Sequence, residues 1–138
     1  MLRSILAVIA GIVVWMVTAF GTDMIVFRLF PQLIDSTRQR VENVPLLFFI
    51  LSYCLAYSVL GGYVTGTIAR RREVLHAFVL GLLQLAMGTA ATAANWETAP
   101  AWFHVGLLVM LVPANVAGGQ WRAVSKDRRA VPRPLTAV

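Results

Sequence analysis

The sequence predicts an all-α membrane protein, a four-helix transmembrane bundle with both termini cytoplasmic. Three observations carry that reading. Of 138 residues 59% are apolar and 13% charged, more apolar surface than a water-soluble domain of this size can hide. The apolar residues gather in four runs, each near the ~20 residues that cross a hydrocarbon core about 30 Å thick. The cations flank these runs: Arg3, Arg70, Arg71, Arg72, Arg122, Lys126, Arg128, Arg129 and Arg133 fall on one side of the crossings, and Arg28, Arg38 and Arg40 on the other. Nine against three makes the first side cytoplasmic by the positive-inside rule.

The membrane domain covers residues 1–122, with spans at about 4–22, 45–69, 74–94 and 101–121. The first follows Arg3 and begins as a secretory signal would. Its apolar run is longer than a usual signal core and resumes at Met24-Ile25-Val26-Phe27, so the span is expected to be retained. Residues 31–44 form the one sizeable hydrophilic loop, where Leu33, Ile34, Thr37, Val41 and Val44 recur at helical spacing. An amphipathic segment lying on the outer membrane surface fits that pattern.

The second span ends in Gly62 and Gly66, a GxxxG pair that lets another backbone approach closely, within this chain or across a dimer contact. After the turn Arg70-Arg71-Arg72, the third span carries Ala77, Gly81, Gln84 and Gly88 on one stripe, a second small-residue face. A turn over 95–101 with Trp96 and Trp102 suits the aromatic belt at a headgroup boundary. In the fourth span Pro113 removes a backbone donor and predicts a kink. Gly118-Gly119 there echoes Gly61-Gly62, a weak sign of a duplicated hairpin. The remainder, 123–138, reads as a basic disordered cytoplasmic tail.

No Asp, Glu, Lys or Arg lies in the central part of any span, which counts against an ion-coupled carrier. Gln84 and Asn115 are the deep polar side chains. An antiparallel pairing of the last two spans brings them to one depth, where they are expected to hydrogen-bond to each other. Asp23, Asn95, Glu97 and His104 belong near one leaflet and form a candidate outer polar cluster, able in principle to hold a cation or relay a proton. Glu73-x-x-His76 has the spacing of a di-metal carboxylate motif, but one copy without facing carboxylates is too few. No nucleophile motif, phosphate loop, CxxC pair or HExxH helix occurs, and the single Cys54, inside an apolar run, reads as buried and inert. No catalytic residue, metal or cofactor is expected.

The basic groups Arg70, Arg71, Arg72, Arg122, Lys126, Arg128 and Arg129 flank apolar runs, so a bilayer with anionic headgroups is the expected partner and nucleic acid is not. Leu60-Gly61-Gly62-Tyr63, Ile68-Ala69-Arg70-Arg71-Arg72, His76-Ala77 and Leu80-Gly81 resemble small uncharacterised four-span inner-membrane proteins of bacteria. That resemblance implies a multi-pass protein of the bacterial cytoplasmic membrane and brings no catalytic or ligand residue with it. The expected function is a non-enzymatic packing or accessory component, as a homo-oligomer or within a larger membrane complex. The alternatives are a small-solute channel or carrier subunit lined by Gln84 and Asn115, and an outer-surface enzyme using Glu97 and His104.

Overall fold

A computed structural model describes residues 2–31 and 40–130, with side chains to 128. It contains four α-helices, α1 (Leu2–Leu29), α2 (Val44–Ala69), α3 (Glu73–Ala94) and α4 (Ala101–Ala130), each long and apolar enough to cross a membrane. A short 3-10 turn, Trp96–Thr98, joins the last two. Most of the loop at 31–44, with the amphipathic segment expected there, lies outside the described residues.

Two helices are longer than the sequence suggested. The first runs to Leu29 rather than ending near residue 22, because Met24 to Phe27 supply further apolar turns; Asp23 therefore sits inside α1. The fourth continues past Trp121 to Ala130, where a disordered tail was expected, and passes Pro113 without interruption. Its extension is held by Lys126, whose ammonium donates to the Arg70 carbonyl at 2.9 Å and to Glu73 Oε1 at 2.8 Å.

Local signals fix the ends of α2. The Asn43 side chain accepts from Leu46 N–H at 3.0 Å, with Pro45 in the first turn where its missing donor costs nothing. At the other end Arg70 is left-handed (φ 60°) and its N–H returns to the Gly66 carbonyl. Arg72 is also left-handed (φ 51°), so the α2–α3 turn places two bulky residues in a backbone region that costs each of them on the order of 1 kcal/mol.

The central helix is α2, which packs against α1, α3 and α4, while α4 also packs along α3 and α1 touches α3 over a shorter stretch. Arg3 Nε donates to the Ile68 carbonyl at 2.8 Å, so the start of α1 meets the end of α2 at the same end as the α2–α3 turn and Lys126. We call this the basic end.

Backbones meet at the small residues. A methyl on Gly62 would overlap the Asn115 carbonyl of α4, and one on Gly118 would overlap the Val59 carbonyl of α2. Gly81 faces Val112, where a Cβ would lie 3.0 Å from its Cα, and Gly88 faces Leu108 and Leu111. Ala77 is closed off by Gly119, and Gly66 lies against Glu73 and Arg122. The two small-residue faces are thus filled from within the chain, and a further copy or partner would have to dock elsewhere. Gly11 does the same work for α1, against Gly61 and Leu80, beside a 3.2 Å bond from Thr65 Oγ1 to the Ala7 carbonyl.

Candidate functional site

The two deep polar residues meet at the bundle centre. Asn115 Nδ2 donates to Gln84 Oε1 at 2.7 Å and to the Leu111 carbonyl at 2.8 Å, and both side chains are wholly buried. Gln84 Nε2 and Asn115 Oδ1 bond to nothing else among the described residues. One direct bond thus joins α3 to α4, and each partner keeps one buried amide atom unpaired.

The four residues of the expected outer cluster are all near the end opposite the arginines, but they do not assemble. Asp23 accepts a hydrogen bond from the Tyr53 hydroxyl of α2. His104 is 5% exposed, stacks on Trp96 with ring centroids 5.2 Å apart, and points Nε2 at the Trp96 carbonyl 3.3 Å away. Asn95 bonds back to the Ala91 carbonyl of its own helix, and Glu97 is exposed. Among the described residues no three His, Cys, Asp or Glu side chains gather as a metal site. Each group finds a local partner more cheaply than it would converge with other charges in a low dielectric.

What the fold builds there instead is a cavity of about 390 Å³ between α1, α2 and α4. Its walls are apolar and partly aromatic, with Phe27 from α1, Leu47 and Ile50 from α2, and Phe103 from α4. Three polar residues are among those that line it, Asp23, Cys54 and Thr98. The cover is pinned by Val41 N–H, which donates to the Thr98 carbonyl at 2.9 Å and ties the α1–α2 connection to the α3–α4 turn. A second polar rung, Thr22 to the Tyr57 hydroxyl at 2.9 Å, lies beside Asp23–Tyr53 and fixes α1 against α2.

Asp23 lies six residues, about 9 Å, inside the end of α1. A helix of 28 residues centred on a ~30 Å core overruns it by about 6 Å at each end, and so centred α1 would hold Asp23 just inside the hydrocarbon. An ionisable group at that depth, half-buried and facing a cavity, is costly to keep unless it has a use. Tyr53, Tyr57 and Thr22 are not among the residues that the sequence singles out; their one local signal is the i, i+4 tyrosine pair in α2. Compared with protein-family models, with curated proteins and with solved structures, the chain matches none of them.

Proposed function

We propose that the protein is a non-enzymatic, multi-pass component of the bacterial inner membrane, its basic end cytoplasmic, which binds a small lipophilic cation in the pocket at Asp23. The observation that carries this reading is one carboxylate, already oriented by Tyr53, at the edge of an otherwise apolar and aromatic cavity within a membrane helix. A cavity of that size suits a compact ligand. A carboxylate beside Phe27 and Phe103 is the chemistry that selects a quaternary or protonated amine over a neutral hydrocarbon. The arginine distribution supports the orientation, since basic segments are retained on the cytoplasmic side.

A channel or carrier subunit takes second place, because Gln84 and Asn115 are wholly buried between α3 and α4 and line neither the pocket at Asp23 nor the cavity between α1 and α3. The enzyme reading with Glu97 and His104 loses its support, since neither shares a contact with Asp23.

The test is titration of benzyltriethylammonium into the full chain in nanodiscs, followed by calorimetry, against an uncharged probe of the same shape. Asp23→Asn keeps the size of the side chain and an acceptor for Tyr53 but removes the charge. Binding by the native chain, weakened roughly tenfold or more in Asp23→Asn, is the expected result. Equal affinity in the variant, or equal affinity for the neutral probe, would end the reading.

A further inference from the structure

A second cavity, of about 410 Å³, lies on the opposite half of the bundle between α1 and α3. It is a slot rather than a core void. The contact of Gly11 with Leu80 and Gly61 draws α1 onto the bundle, and beside it Ile5 and Ile9 of α1 face a shared apolar space with Val79 and Leu83 of α3. Both helices leave the basic end in the same direction, so the slot has a defined mouth and a defined inner limit. The mouth holds its only polar residues, Ser4 and His76, each in the first turn of its helix.

Two further features select an occupant. On α1 the slot runs from Ser4 to Ile12 and on α3 from Leu75 to Leu83. Eight helical steps are about 12 Å, close to the ~15 Å of one leaflet's hydrocarbon. The slot therefore starts at headgroup level and ends near the midplane, the reach of one acyl chain. The charge beside its mouth is one-sided: Arg71 and Arg72, exposed in the turn that leads into Leu75 and His76, are cationic, while the neighbouring carboxylate, Glu73, is held by Lys126. The His76 ring is steadied by Nδ1, which donates to the Arg72 carbonyl at 3.0 Å, since a carbonyl can only accept. A phosphate placed there meets cations and a hydroxyl, and the chain attached to it meets only hydrocarbon.

We infer that this slot is a binding site for one anionic phospholipid of the leaflet at the basic end, its acyl chain between α1 and α3 and its phosphate among Ser4, His76, Arg71 and Arg72. The site is independent of the pocket at Asp23 and stands whether or not that pocket binds a cation.

The experiment is native mass spectrometry of the full chain released from micelles loaded with equal phosphatidylglycerol and phosphatidylcholine. The native chain is expected to retain a single phosphatidylglycerol in preference to phosphatidylcholine. Val79→Trp, which fills the slot, abolishes retention, and Ile9→Trp does so from the other wall if the first variant fails to fold. Met110→Trp, on the lipid face of α4, leaves it unchanged. The double change Arg71→Gln and Arg72→Gln keeps the slot but lowers the preference for the anionic lipid by roughly thirtyfold, about a factor of five for each basic residue near an anionic surface. Retention of no lipid by the native chain would overturn the assignment. So would equal retention of both lipids, or undiminished retention by a folded Val79→Trp or Ile9→Trp.

Discussion

The Gln84–Asn115 pair gives an unequal double-mutant cycle. Asn115→Leu is close to isosteric and removes the one partner of Gln84 among the described residues, leaving a wholly buried amide with neither of its groups paired. Gln84→Met is also close to isosteric but leaves Asn115 its 2.8 Å bond to the Leu111 carbonyl. The first change should cost about 1–2 kcal/mol, near the upper end for interhelical hydrogen bonds in membranes, and the second about 0.6 kcal/mol, near their average. Replacing both leaves an apolar contact with no orphaned group, so the double variant should lie close to Gln84→Met alone. The coupling then equals the cost of Asn115→Leu alone, about 1–2 kcal/mol. It is measured by reversible unfolding in mixed micelles with rising sodium dodecyl sulfate, read by far-ultraviolet circular dichroism and tryptophan fluorescence on all four proteins. Additive costs, or a larger loss for Gln84→Met than for Asn115→Leu, would show that the bond does not join α3 to α4 as described.

Two other outcomes follow from the packing. Gly62→Ala and Gly118→Ala each drive a methyl onto a backbone carbonyl that cannot rotate away, and each should cost about 1–3 kcal/mol in the same titration. By contrast Gly21→Ala and Gly106→Ala meet nothing within 4 Å and should gain up to about 1 kcal/mol from helix propensity, so a loss at all four positions would contradict these contacts. Lys126→Met removes the ties from α4 to Glu73 and the Arg70 carbonyl; because that lysine is half exposed, the stability loss should stay below about 1 kcal/mol and shrink in high salt. Hydrogen exchange should quicken over residues 122–128 in that variant, and unchanged protection there would mean the extension is not held by this contact.

Much of the bundle was legible in the sequence. Four apolar runs, the small-residue stripes at Gly62, Gly66, Ala77, Gly81 and Gly88, and the matched depth of Gln84 and Asn115 all follow from residue type and spacing along one helix or hairpin. The limits of α1 and α4 differ from those the sequence predicts for one shared reason. A charged residue reads as a boundary, whereas a tertiary partner can carry a helix through it, as Tyr53 does for Asp23 and Glu73 does for Lys126. The outer cluster does not assemble because belonging to one leaflet does not bring side chains together. Glu97 ends exposed and His104 stacks on Trp96, both at the depth expected of them.

The sequence by itself determined that this chain forms four membrane-length helices, that most of its cations fall on one side of the crossings, and that Gly62, Gly66, Gly81 and Gly88 serve close contacts. Those properties depend on sums over a window of about 20 residues and on whether a side chain is present at all, and lipid thickness sets the scale. Only the tertiary structure decided how each helix is rotated about its axis. In a membrane the outside of the bundle is as apolar as the inside, so hydrophobic patterning leaves that rotation open. It is set instead by which backbones can touch, Gly62 on Asn115 and Gly118 on Val59, and by which polar groups then meet. That rotation turns Asp23 toward Tyr53 and a cavity, and leaves a slot of single-leaflet length between α1 and α3.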